Sequence, residues 1–157
     1  MRTPASVGHH PIHPMLVPLA IGLWIFSLVA DLIYRFEWGG EVWDSVAFYT
    51  LAGGIAGALL AAIPGFVDLL SLPEGKVKKI AVAHMAINLG AVVLFAVNFG
   101  LRLNAAPGAA VPVLLSVIGV ALIGVSGWLG GELVYRHHVG VPPVADTASP
   151  VGSGPRP

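Results

Sequence analysis

The sequence predicts an all-α integral membrane protein, an antiparallel bundle of four transmembrane helices. Of its 157 residues, 56% are hydrophobic and only 10% are charged, whereas a soluble domain carries about 25% charged residues. The mean hydropathy is +0.85. Four apolar stretches reach the roughly 20 residues that a helix needs to cross hydrocarbon. None of them alternates as a strand would, so helices are expected to satisfy the backbone in lipid.

The predicted spans are residues 14–34, 46–72, 80–101 and 111–135, with charged or Gly/Pro-rich segments between them. Such short connections make consecutive helices antiparallel. The first span is too long for the apolar part of a signal peptide, and no small-residue cleavage site follows before Arg35. Residues 1–138 therefore form the predicted transmembrane domain. Residues 139–157 are rich in Pro, Gly, Ser and Ala and are predicted to be a disordered tail.

The distribution of basic residues predicts the orientation. Four crossings place both termini on one side, together with most of the Lys and Arg residues, and leave only Arg35 and Arg102 on the other. The positive-inside rule then predicts a bacterial inner-membrane protein with both termini in the cytoplasm. The expected partners are the lipid bilayer and, as further hypotheses, redox membrane proteins or a second copy of the chain.

Charge and cysteine content exclude several functions. The formal net charge is zero, which gives no argument for nucleic-acid binding. The absence of cysteine excludes disulfides, thiolate metal sites, iron–sulfur clusters and covalent c-type haem. The chain also lacks the G-x-S-x-G, H-E-x-x-H and phosphate-loop motifs of common hydrolases.

Polar residues recur along one face of the first and third predicted helices, since positions three or four apart share a face. Each stripe begins with a histidine and ends with a charge. Because polar groups facing lipid are costly, both stripes should face the bundle interior. The stripes are His13, Val17, Ala20, Trp24, Ser27 and Asp31 in the first helix, and His84, Asn88, Ala91, Phe95, Asn98 and Arg102 in the third.

The second and fourth helices contribute small residues and an acid. Gly53, Gly57, Ala61 and Gly65 precede Asp68, and Gly124, Gly127 and Gly131 precede Glu132. Small residues permit close helix packing, and the same space could accept a flat cofactor. The order of features is alike in the two hairpins, which predicts an internal repeat that pairs His13 with His84 and Asp68 with Glu132.

Histidines and acids concentrate at one end of the predicted bundle, which makes that end the candidate site. The first hypothesis is a b-type haem held by His13 and His84, or by His84 and His137. Counting from the helix starts, His13 and His84 should differ in depth by about a turn and a half. The second hypothesis is a transition-metal or proton-handling site, whose mixed nitrogen and oxygen ligands come from all four helices. Its ligands would be His10, His13, Asp68, His84 and Glu132.

The third hypothesis is a cofactor-free structural or accessory subunit of a membrane complex. In this interpretation the charged residues form ion pairs, either within a helix or across the bundle. Glu132 with Arg136 and Asp31 with Arg35 stand four residues apart, the spacing of intrahelical pairs. Asp31 could instead pair with Arg102, since both end their stripes on the same side.

Two long motifs carry a family resemblance. The segments HPIHPMLVPLAIGLW (residues 10–24) and GWLGGELVYRHHVGV (residues 127–141) resemble a bacterial family catalogued as domain of unknown function 2231. The resemblance implies a membrane protein, and its link to Rieske-type iron–sulfur proteins in some relatives implies electron transfer. The family usually has glycine after the histidine of the second motif. Here that position is His138, so the motif role is carried to His137.

Overall fold

Four long helices make up most of the computed structural model, which describes residues 3–8 and 10–141. They are α1 (Ile12–Arg35), α2 (Val42–Ser71), α3 (Lys76–Arg102) and α4 (Ala110–Gly131), and α4 continues into a π-helical turn, Glu132–Arg136. Before α1, the short strands β1 (Ser6–Val7) and β2 (His10–Pro11) pair antiparallel. The described residues are 78% helical, and the predicted four-helix bundle is confirmed.

All four helices are long and apolar enough to cross a membrane. Their exposed faces carry large aliphatic and aromatic side chains, as expected of lipid-facing surface. The helices begin earlier than the predicted spans because α2 and α3 include polar turns at their amino ends. Gly75 precedes α3 at a φ of 139°, a backbone conformation that other residues rarely adopt.

The two predicted stripes form much of the interior, together with Leu51 of α2 and Ile123 of α4. Ala20, Trp24, Ser27 and Asp31 are the stripe residues buried on α1. Their counterparts on α3 are Ala91, Phe95 and Asn98. Trp24 and Phe95 stack at the centre of the bundle with ring centroids 4.2 Å apart. Trp128 does not join them, since it is 78% exposed. It lies on the outer surface instead.

Residues at corresponding positions of the two stripes meet each other across the bundle. His13 faces His84, Trp24 faces Phe95, and Asp31 faces Arg102. The offset along the chain is the same in all three pairs, namely the 71 residues between Asp31 and Arg102.

In each hairpin, the helix that follows the stripe has a glycine where the aromatic ring of the stripe packs. A Cβ atom at Gly54 would collide with Trp24, and one at Gly119 would collide with Phe95. These correspondences fit a two-fold arrangement of hairpins, while the repeat itself stays a prediction. The offset from α2 to α4 is 65 residues, as from Gly54 to Gly119, and it would set Asp68 against Leu133 rather than Glu132.

The amino-terminal segment packs over the end of the bundle that holds the two histidines. The backbone N–H of Ala5 donates to Asp68 Oδ1 at 2.9 Å, and Thr3 is buried. On the same side, Val139 packs against a small cluster that includes Leu72 and Leu133. The predicted disordered tail lies outside the described residues from position 142 onward.

Candidate functional site

His13 lies in the first turn of α1 and contacts the backbone of α2. Its Nδ1–H donates to the carbonyl oxygen of Ala61 at 2.8 Å. One turn further along α2, Gly65 leaves the space that the ring needs, because a Cβ atom there would lie 2.7 Å from His13 Nδ1. A carbonyl can only accept, so Nδ1 carries a proton, and in the neutral form of the ring the lone pair is on Nε2.

His84 is held on α4 in the same manner. Its Nδ1–H donates to the carbonyl oxygen of Ser126 at 2.8 Å, and the Ser126 hydroxyl lies 2.9 Å from the same nitrogen. A Cβ atom at Gly130 would lie 3.1 Å from the ring. Asn88 Nδ2 donates to His84 Nε2 at 3.1 Å. The bond from Asn88 requires a lone pair on Nε2, in agreement with the proton on Nδ1.

The two rings form a histidine pair (His13 and His84) between the α1–α2 and α3–α4 hairpins. Their centroids are 6.2 Å apart and their planes are perpendicular, at 89°. Two imidazoles that bind one metal ion from opposite sides, with metal–nitrogen bonds of about 2 Å, place their ring centres about 6 Å apart. The spacing of the pair therefore suits one metal ion between them. The predicted difference in depth was wrong.

The remaining residues of the predicted metal set have partners of their own. His10 is exposed and donates from Nδ1 to the Gly8 carbonyl at 2.9 Å. Asp68 accepts the amide of Ala5. Glu132 pairs with Arg136 at 3.3 Å. Within residues 3–8 and 10–141, no three His, Asp or Glu side chains form a group that could hold a metal ion.

His137 follows the π-helical turn at the end of α4. Its backbone N–H donates to the Glu132 carbonyl, the wide spacing that defines this turn. Its Nε2 is buried and has no hydrogen-bond partner among the residues that the structure describes. No ring contact joins it to His84 among the described residues, so the alternative haem pair of His84 and His137 is not brought together.

An ion-pair cluster occupies the opposite end of the bundle. Arg102 donates from Nη1 and Nη2 to the two carboxylate oxygens of Asp31, at 2.8 and 2.6 Å. Arg102 Nε also donates to Asn98 Oδ1, and the Ser116 hydroxyl donates to Asp31. The Asp31 side chain is 2% exposed and that of Arg102 is 8% exposed. The predicted pairing across the bundle is confirmed, and Asp31 uses Arg102 rather than Arg35.

Three residues of α4 that support these sites were not singled out by the sequence analysis. Ser116 completes the ion-pair cluster, while Ser126 and Gly130 position His84. The 65-residue offset from α2 to α4, taken from Gly54 and Gly119, would have found Ser126 and Gly130. They follow Ala61 and Gly65 by this number of residues.

The family model described as "Predicted membrane protein (DUF2231)" matches residues 9–143. This chain belongs to that family. The match spans every helix, the histidine pair and the ion-pair cluster. As a DUF2231 protein it is an integral membrane protein with four candidate spans. No curated protein and no solved structure matches the chain.

Proposed function

We propose that this protein is a membrane electron carrier that binds a b-type haem between His13 and His84. The observation that carries the proposal is the spacing of the histidine pair, whose centroids are 6.2 Å apart with both Nδ1 atoms bonded to backbone carbonyls. Metal-binding histidines are commonly oriented by such a bond from the second ring nitrogen. The haem would supply one-electron chemistry at its iron.

The number of ligands favours haem over a bare metal ion. Protein sites for zinc and similar ions use three or four side chains, whereas haem brings four nitrogen atoms and needs two axial ligands from the protein. The described residues bring two imidazoles together without a third histidine or a carboxylate. The mixed site of His10, His13, Asp68, His84 and Glu132 therefore has weaker support.

The hydrogen bonds around the histidine pair would orient both rings to bind iron. The carbonyls of Ala61 and Ser126 keep the proton on Nδ1, which leaves the Nε2 lone pairs for the metal. Asn88 now occupies the lone pair of His84 and would have to give up this bond when iron binds. Both histidines are partly buried, and the apolar helices around them would limit access of water to the iron.

Absorption spectra of purified protein, oxidised and then reduced with dithionite, test the proposal. We expect a Soret band and sharp reduced bands for the natural protein, and their loss in both His13→Ala and His84→Ala. His10→Ala is the matched control, because this histidine is exposed and close in sequence. Haem that stays bound in both His13 and His84 variants would contradict the assignment.

A second measurement tests the ring geometry. Perpendicular axial imidazoles leave two iron d orbitals close in energy, so the ferric haem should give a highly anisotropic low-spin electron paramagnetic resonance signal. A rhombic signal of the kind that parallel rings produce would contradict the perpendicular arrangement. Natural protein without haem, and without metal by elemental analysis, would favour the cofactor-free accessory subunit.

The orientation proposed for the protein is the one with both termini in the cytoplasm of a bacterial inner membrane. The Lys residues that begin α3 lie at the histidine end, so the haem would lie near the cytoplasmic surface, within reach of a redox partner there. A reporter active only in the cytoplasm should be active when fused after Pro157. Activity restricted to a periplasmic reporter at the same position would reverse the orientation.

A further inference from the structure

A cavity of about 210 Å³ opens beside the ion-pair cluster, at the end of the bundle opposite the histidines. It is lined by charged, aromatic and small residues from all four helices and from the α3–α4 connection. The residues that the argument uses are Asp31, Asp44, Phe48, Tyr49 and Arg102. A cavity of this size has room for a ligand of roughly seven non-hydrogen atoms, at the ~30 Å³ that one water occupies.

The lining has an excess of negative charge. Asp31 and Arg102 neutralise each other through two charge-assisted hydrogen bonds. Asp44 is the remaining charged group in the lining. Its Oδ1 accepts the backbone N–H of Gly108 at 3.0 Å, and within the described part of the chain Oδ2 accepts no hydrogen bond. Asp44 thus keeps one carboxylate oxygen for a ligand that can donate a hydrogen bond.

Two aromatic residues line the same cavity as Asp44. Phe48 and Tyr49 lie one turn after Asp44 on α2, with their rings at 81° and their centroids 5.4 Å apart. Tyr49 is 72% exposed, so the cavity is open on that side. Aromatic faces attract ammonium groups, and a carboxylate accepts their N–H groups in charge-assisted hydrogen bonds. The ring of Phe48 is stacked on Phe99, so Tyr49 is the ring left to face a ligand.

We propose that this cavity binds a small organic ammonium compound, with Asp44 accepting its N–H groups and the ring of Tyr49 facing the cation. A divalent metal ion fits less well, since Ca²⁺ takes six to eight oxygen ligands and both Asp31 oxygens are already bonded to Arg102. The site is independent of the histidine pair. Asp31 follows His13 by five turns of α1, about 27 Å along the helix axis.

Binding of three probes of similar size tests the proposal. They are n-butylammonium, n-butanol and butyrate, each titrated into the full chain in lipid nanodiscs at low salt, with empty nanodiscs as the blank. We expect n-butylammonium alone to bind, and Asp44→Asn to weaken its binding at least tenfold, because a hydrogen bond to a charged group is lost. Asparagine retains Oδ1 for the Gly108 amide, so the fold should persist.

Two further variants keep the test decisive. Glu41→Gln removes an equal charge three residues away, outside the cavity lining, and should change binding less than twofold. Tyr49→Leu keeps an apolar side chain at an exposed position and should weaken binding severalfold. Equal binding by the natural protein and Asp44→Asn would overturn the proposal. So would binding of butanol or butyrate as tight as that of n-butylammonium, or no binding of n-butylammonium at millimolar concentration.

Discussion

Removing one partner of the Asp31–Arg102 pair should cost more stability than removing one partner of any other ion pair that the structure describes. Replacing either residue with alanine leaves the other charge inside the bundle without its counter-charge. The Asp31 side chain is 2% exposed and that of Arg102 is 8% exposed, so water cannot easily replace the missing partner. Breaking a buried pair in this way costs about 3–5 kcal/mol. This corresponds to a decrease of at least about a hundredfold in the folding equilibrium constant.

The double variant separates the pair from its surroundings. Asp31→Ala with Arg102→Ala removes both charges together, and the loss should be smaller than that of either single variant. The control is the Glu132–Arg136 pair at the other end, where Arg136 is 74% exposed. Alanine at Glu132 should cost about 0.5 kcal/mol or less, as is usual for an intrahelical pair in contact with water.

Unfolding of each variant in mixed micelles, titrated with sodium dodecyl sulfate and followed by far-ultraviolet circular dichroism, would measure these free energies. The reasoning would be refuted if the losses of the two single variants simply added in the double variant. It would also be refuted if Asp31→Ala cost no more than Glu132→Ala, because burial would then have no effect on the pair.

The same unfolding assay checks two packing predictions, and for the first of them absorption spectra also measure the haem content. Gly65→Ala should lower the free energy of unfolding by about 1–3 kcal/mol and reduce haem content, because the added Cβ atom would lie 2.7 Å from the imidazole of His13. Gly124→Ala is the control, since a Cβ atom there meets open space, and it should change neither quantity. Equal effects of the two variants would argue against the close approach of Gly65 to the ring. Trp24→Ala should cost about 3–5 kcal/mol because the indole is buried and stacked. Trp128→Ala is its control, and a loss as large at this 78% exposed position would contradict the assignment of the core.

The interior of the bundle could be predicted from the sequence because a helix has a fixed period. Residues three or four apart share a face, and only one face of each helix could hold polar groups in lipid at low cost. That reasoning placed Ser27, Asp31 and Asn98 inside, and the structure buries all three. It also brought Asp31 and Arg102 to the same end, where they pair.

The depth of the histidines could not be predicted in the same way. Counting turns from the start of each helix assumes that the helices begin in one plane. α1 begins at Ile12, directly before His13, while α3 begins at Lys76, about two turns before His84. The amino end of α3 therefore extends beyond that of α1, and the two rings meet at one level.

The carboxylates of the predicted metal set show a second limit. Asp68 takes its hydrogen bond from a backbone amide in the amino-terminal segment, and sequence patterns give no sign of backbone donors. Glu132 pairs with Arg136 within a π-helical turn, which differs in pitch from the α-helix assumed for counting faces. The sequence analysis assigned both acids to the correct end of the bundle, although the described contacts give them partners other than the histidine pair.

The bond between Ala5 and Asp68 has a consequence for biosynthesis. These two residues are 63 positions apart, and Asp68 lies near the end of α2. A ribosome must therefore make the whole first hairpin before the amino-terminal segment can attach to it. Protection of this segment from protease on stalled chains of increasing length would thus report when α1 and α2 have come together in the bilayer.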